Sequence, residues 1–306
     1  MKRWYLKLHR WIALLFALPL LVVIATGLIL SVEPWLIDRA VQPGKLTADR
    51  IDALLAQHDP RHQMQALNYR PYDGTLTLSA GRRGGASTTV DVMTGETKPQ
   101  STTTALLITA RRLHETLMLD ARWLTVASTV AMLVISVIGV LMGWPRFANT
   151  LAGWHKAVAW GLLPLLILSP FTALLMSMGV GGGFPQGRGG RDEARMSLSQ
   201  AVHALEAKHD ISGLLFLRGQ GGQYTARLDE GGEFRVYTVK ADGIRPVPRN
   251  WPRLWHEGNF AGGWSSLMNL IISIALLTLL GTGVWIWGRR QLFLRRLRRT
   301  MQVKPA

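Results

Sequence analysis

Four stretches without a single charged residue interrupt an otherwise mixed chain: Trp11–Val32, Trp123–Trp144, Ala157–Met178 and Ser265–Trp287, each 22 or 23 residues long. As helices they reach about 33 Å, enough for a hydrocarbon core of about 30 Å. The pattern predicts four transmembrane helices at 11–32, 123–144, 157–178 and 265–287. The first is expected to stay uncleaved, because Ser31-Val32-Glu33-Pro34-Trp35 offers no small-x-small cleavage site. Pro19, Pro164 and Pro170 are expected to bend spans one and three. Trp11, Trp35, Trp123, Trp144, Trp154, Trp264 and Trp287 mark span ends, as an interfacial aromatic belt does.

The intervening segments, 33–122 and 179–264, have a different texture. In the first, apolar spacing predicts a helix over Thr47–His58, and alternation predicts strands at Ala66–Tyr69, Thr75–Ala80 and Thr88–Val92. The second repeats the plan, with a helix at Leu198–Lys208 and strands at Gly213–Arg218, Tyr224–Leu228 and Phe234–Lys240. Each reads as a small α+β domain. Gly179–Arg191 is Gly-rich with Pro185 and reads as a linker; its Arg188 and Arg191, with Arg195 beyond, would attract an anionic chelate.

Charge changes the picture through its placement. The 306 residues carry 35 Lys or Arg against 19 Asp or Glu, a formal net charge of +16. The N-terminus (1–10), the middle loop (145–156) and the tail (288–306) hold thirteen basic residues and no acidic one. By the positive-inside bias these pieces are cytoplasmic, and the two folded segments face the other side of the membrane. The surplus is thus a topology signal and an attraction to lipid headgroups, not a nucleic-acid footprint. Cysteine is absent, which removes disulfides, thiolate zinc sites, cysteine nucleophiles and c-type haem attachment. No Gly-x-Gly-x-x-Gly follows a strand, so no nicotinamide or flavin site is expected.

The halves echo one another. Leu8-His9-Arg10-Trp11 opens span one and Trp154-His155-Lys156-Ala157 opens span three; His114-Glu115 precedes span two and His256-Glu257 precedes span four. Leu18-Pro19-Leu20-Leu21 is echoed by Leu163-Pro164-Leu165-Leu166. Each half is span, domain, span. The repeat is therefore parallel, with a pseudo-twofold axis along the membrane normal and four helices in a bundle. Symmetry sets His9 opposite His155 near the inner surface and His114 opposite His256 near the outer one. Opposed neutral imidazoles between bundle helices are the axial ligands of a b-type haem, so two haems are expected. Arg10 and Lys156 suit the inner propionates, Arg111 and Arg112 the outer ones; Glu115 and Glu257 are expected to orient the outer imidazoles. Interfacial snorkelling is the alternative for each histidine. His58, His62, His203 and His209 read as solvated surface. Among the span glycines Gly27, Gly139, Gly143, Gly281 and Gly283, the Gly139–Gly143 step reads as close helix packing, and porphyrin clearance is the other reading.

Leu8-His9-Arg10-Trp11 through Thr26-Gly27-Leu28, with His114–Arg146 and Trp255-His256-Glu257-Gly258-Asn259-Phe260 through Gly281–Arg290, resembles the PepSY-associated transmembrane family, and the two folded segments are similar to PepSY modules. The resemblance implies a mostly α membrane protein with two small periplasmic PepSY-like domains. It also implies two haem b groups on His9, His155, His114 and His256, as in the family's inner-membrane ferric-siderophore reductases. Electrons would then enter from a quinol or a cytoplasmic reductant and leave to a periplasmic acceptor such as a ferric siderophore. Other members are known only as iron-uptake factors, so two readings stay open beside this one: a haem-free, membrane-anchored interaction protein, and the haem subunit of a different periplasmic reductase.

Overall fold

The computed structural model describes residues 2–80, 85–144, 147–182 and 196–302. Helices α1 (Lys2–Leu15), α2 (Ala17–Leu30), α3 (Glu33–Ala40) and α4 (Ala48–His58) lead into strands β1 (Ala66–Arg70), β2 (Thr75–Ser79) and β3 (Ser87–Asp91). Helices α5 (Thr102–Thr116), α6 (Arg122–Leu141), α7 (Leu151–Gly161), α8 (Leu163–Ser177) and α9 (Leu198–Glu206) follow. Strands β4 (Leu214–Gln220), β5 (Gln223–Glu230), β6 (Glu233–Lys240) and β7 (Gly243–Pro246) then precede α10 (Trp251–Glu257) and α11 (Gly263–Gln302). The chain divides into a helical unit (Met1–Leu30, Thr109–Met178, Met268–Ala306) and a sheet unit (Ser31–Ile108, Gly179–Leu267).

Among the described residues three helices are long and apolar enough to cross a membrane, Ala17–Ala40, Arg122–Leu141 and Gly263–Arg298. Leu151–Gly161 and Leu163–Ser177 make a fourth only as one span bent by 65°. The bend falls where the chemistry demands it. Pro164, in the first turn of α8, has no N–H for the Trp160 carbonyl and its ring crowds that group. Pro19 acts likewise on Leu15, and α1 gives way to α2 at Phe16, although Phe16 N–Ile12 O and Leu20 N–Phe16 O bonds carry the chain through. Pro170 is accommodated inside α8 without a break. Helix α6 packs against α1, α2 and α8 through Ser128, Thr129, Ala131 and Ile138, which are buried. The Ser128 and Thr129 hydroxyls donate to the Leu124 and Thr125 carbonyls four residues back, whereas the Thr125 hydroxyl is buried without a partner. Much of the outward surface is bare apolar side chain, including Leu15, Leu18, Val137, Leu141, Ile271 and Ile274, which water does not tolerate over such an area and lipid does. The Gly139–Gly143 step is not a packing contact: a Cβ at either position meets nothing within 4 Å, and Gly143 takes a left-handed φ of +84° where α6 ends.

The sheet unit departs from the expectation of two separate small domains. The strands of both segments form one seven-stranded antiparallel sheet in the order β3-β2-β1-β4-β5-β6-β7. The junction is the antiparallel pair β1–β4, with Leu67 opposite Leu217. A segment of about 50 residues with one helix buries too little apolar surface to stand alone, and its first strand leaves an unpaired edge. Pairing the two first strands removes both problems. One core follows, in which Ile51, Leu54, Leu67, Leu76, Leu78, Val90, Leu205, Leu214, Leu217 and Leu228 are each essentially buried. Helices α4 and α9 cover it side by side, and α9 helps to cap α4. Thr47 and Ser197 close their own N-termini, and Glu206 of α9 accepts the Ala48 N–H at 2.8 Å.

Candidate functional site

The helical unit brings two of the four expected ligands together. His9 on α1 and His155 on α7, both half-buried, lie close enough for their charges to interact. Each ring is held by Nδ1. His9 Nδ1 is 3.2 Å from the Ile135 carbonyl of α6, and a carbonyl only accepts, so this nitrogen carries the proton. His155 Nδ1 is 2.8 Å from Thr282 Oγ1 of α11. The Thr282 hydroxyl hydrogen is already given to Thr278 O at 2.7 Å, so toward histidine the oxygen is an acceptor. In the neutral rings the lone pair is therefore on Nε2, and neither Nε2 makes a hydrogen bond among the described residues. Gly283 leaves room beside the second ring, where a Cβ would stand 3.7 Å from His155 Cε1. Next to His9, the Nε of Arg10 is buried without an acceptor, whereas Lys156 is exposed.

His114, near the end of α5, repeats this chemistry on another wall. Its Nδ1 lies 2.9 Å from Val23 O and 3.2 Å from Thr26 Oγ1, and Thr26 sends its own hydrogen to Val22 O at 2.7 Å. A Cβ on Gly27 would come within 3.2 Å of His114 Cε1, so the ring lies against bare backbone. A Thr-Gly dipeptide thus holds two of the histidines, Thr26-Gly27 for His114 and Thr282-Gly283 for His155. Sequence reasoning missed this pairing, and the recurring dipeptide was its only visible trace.

Other expectations fare differently. Arg111 and Arg112 are exposed. His256 sits half-buried at the end of α10 in the sheet unit. Glu115 is exposed, and His114 takes its Nδ1 partners from α2 instead. Glu257 serves an ion cluster, accepting from Arg227 at 2.6 Å, Arg253 at 3.1 Å and Asn259 at 2.7 Å. Of the histidines expected as solvated surface, His62 and His203 are exposed, His203 bonded to Asp52, whereas His58 and His209 are half-buried and tied into the fold, His58 to Gly95 O and His209 to Glu230, which also takes the Tyr237 hydroxyl. Asp52 beside it raises the His203 pKa above its ordinary value. Arg146, Arg188, Arg191 and Arg195 lie outside the described residues, as does most of the Gly-rich segment.

The His9–His155 pair fits a b-type haem on its donor chemistry. The two imidazoles would hold the iron of such a group through Nε2, and the orphaned Arg10 Nε would serve a propionate. Among the described residues no three His, Cys, Asp or Glu side chains gather as they would around a bare ion.

Apolar helices of spanning length joined to a helix-covered antiparallel sheet define a membrane protein with a folded polar unit. The chain matches the family model described as PepSY-associated TM region over residues 6–290, and it belongs to that family. Comparison with curated proteins returns no match to this chain.

Proposed function

We propose that this protein is a di-haem b electron carrier of a bacterial inner membrane, with its termini in the cytoplasm and the sheet unit in the periplasm. The observation that supports it most is the locked tautomer of His9 and His155: Nδ1–H is spent on Ile135 O and Thr282 Oγ1, which leaves each Nε2 as an electron-pair donor. A b-type haem, when bound, supplies one-electron chemistry. The protein's part is to hold the imidazoles in orientation, to offer Arg10 to a propionate, and to keep water from the apolar surroundings. His114, held in the same manner, and His256, its counterpart by sequence repeat, are proposed for the second haem, with Arg111, Arg112 and Lys156 as further propionate partners.

The acceptor proposed is a ferric siderophore. Reduction to Fe(II) weakens the grip of its hard oxygen ligands, so the metal is released. The donor proposed is a quinol or a cytoplasmic reductant.

The test is the absorption spectrum of purified protein and three variants. A reducible Soret band is expected in the parent, with about half of it lost in His155→Ala and in His9→Ala and the other half lost in His114→Ala. A protein that stays colourless after haem supplementation, or variants that keep full haem, would overturn the reading. A colourless protein would leave the sheet unit as a membrane-anchored binding module.

A further inference from the structure

In the helical unit a groove of about 700 Å³ runs between α2 and α11. Leu18 and Leu21 form one wall; Leu277, Leu280 and Val284 form the other. From Leu277 to Leu292 the groove follows α11 for about 22 Å, one leaflet's share of the hydrocarbon (roughly 15 Å) together with its headgroup layer. Two glycines keep it open: a Cβ on Gly281 or on Gly288 would meet nothing within 4 Å. Gly281 stands two residues from Gly283, about 200° around the helix, so the groove and His155 lie against different faces of α11. This half of α11 has little protein cover. Past Ala275 none of its described side chains is buried, and across the groove Leu18 and Leu21 are exposed. Among the described residues a single charged one lines the groove, Arg289, an exposed side chain at the end where span four gives out. Neither wall offers it a carboxylate. Helices α2 and α11 contain no Asp or Glu, and neither do α1, α6, α7 and α8. An anion that answers Arg289 therefore comes from outside these helices.

We infer that the groove holds one anionic phospholipid, with an acyl chain along Leu18, Leu21, Leu277 and Leu280 and the phosphate on Arg289, and that this lipid fastens the uncovered half of α11 to α2. A planar guanidinium takes phosphate oxygens in pairs, and a basic residue at the mouth of an apolar cleft between spans is how anionic headgroups are held. The apolar chain meets only apolar walls, so its burial leaves no polar group unpaired. A quinol suits the groove less well. Its oxidation needs a group that takes protons, and no Asp, Glu, His or Tyr is among the lining residues.

The experiment is native mass spectrometry of the full-length protein, stripped of lipid in detergent and titrated with dioleoyl phosphatidylglycerol in one arm and dioleoyl phosphatidylcholine, whose choline cancels the phosphate charge, in the other. One phosphatidylglycerol per chain is expected to stay bound at concentrations where phosphatidylcholine does not. Arg289→Gln removes the charge-assisted bonds and is expected to weaken retention by roughly tenfold or more. Arg298→Gln carries the same charge change nine residues further along α11, about 13 Å away and beyond a Debye length, and is expected to leave retention unaltered. Gly281→Leu puts a side chain into the open groove and is expected to expel the lipid. Equal retention of the two phospholipids by the parent, or equal loss in the Arg289 and Arg298 variants, would overturn the inference. So would a quinone that purifies with the parent and is displaced by Gly281→Leu. Should Gly281→Leu fail to fold, the arginine pair decides alone. The groove uses none of the histidines, so a colourless protein that keeps phosphatidylglycerol would retain this inference and discard the haem proposal.

Discussion

Thr282→Val isolates what the hydroxyl does for His155. The substitution keeps the shape of the side chain and deletes the oxygen that receives Nδ1–H at 2.8 Å. Thr282 lies in the interior of α11 and its own donor goes to Thr278 O, so the backbone of the helix loses nothing. A half-buried imidazole N–H is left without its acceptor, at a cost of about 1–3 kcal/mol. Once the ring is free to turn or to shift its proton to Nε2, the lone pair is no longer aimed. Losing such an outer partner of a ligating histidine typically weakens metal affinity by about 10–100-fold. The assay is the rate at which haem passes from the detergent-purified protein to an excess of apomyoglobin. Thr282→Val is expected to lose one of its haems faster by about that factor, and Thr282→Ser, which keeps the oxygen, is expected to release it at the parental rate. Equal rates in the parent and the Val variant would refute the argument that the hydrogen bond fixes the ligand.

Three further outcomes concern the sheet unit. Burial pushes the Asp229 carboxyl up to about 6, against the Gly232 N–H that it accepts and with Asp38 and Glu230 nearby. Its folded pKa thus exceeds the unfolded one, so this group's contribution to stability is greatest below about pH 4 and is lost as pH rises through 6, by at most roughly 3 kcal/mol. Asp229→Asn is expected to flatten that decline in urea titrations at pH 4 and 7. Gly232 has φ +84° and its Cβ would meet Gly262 Cα at 2.4 Å, so Gly232→Ala is expected to cost about 2 kcal/mol or more, read as a lowered urea midpoint. Leu217→Ala opens a cavity beside the β1–β4 junction at about 2–5 kcal/mol; hydrogen exchange is expected to accelerate in β1 and β2 as well as in β4 and β5, whereas two independent domains would confine the effect to the second pair.

That the uncharged runs form apolar helices was legible because lipid allows only one solution for a run of their length, and the bend of the third was legible from Pro164, whose missing N–H acts locally; the start of the first was not, since α1 ends at Leu15 and the candidate span begins at Ala17. The single sheet was not. Alternation at Ala66–Tyr69 and Gly213–Arg218 announces strands with one buried face, but it says nothing about which strand meets which, and Leu67 opposite Leu217 is decided by an edge that needs a partner. Helices α3, α5 and α10 were not anticipated, although Pro34 in the first turn of α3 and the Asn250 and Gly258 caps of α10 are local signals. At the candidate site, His9 and His155 stood out by position and repeat. Their Nδ1 partners did not, since Ile135 O is a backbone atom more than a hundred residues away and Thr282 sits on the last span. The acidic neighbours Glu115 and Glu257 drew attention by adjacency in sequence, yet adjacent helical residues point about 100° apart and rarely serve one another.

The central claim is that His9, His155, His114 and His256 are haem ligands, and the most direct measurement is the haem content of the full-length protein, purified from cells supplied with haem and assayed as the pyridine haemochrome. The expected result is two haem b per chain, with a low-spin signal of two imidazole ligands in electron paramagnetic resonance. A protein with no haem, or with a high-spin haem held by a single ligand, would contradict it.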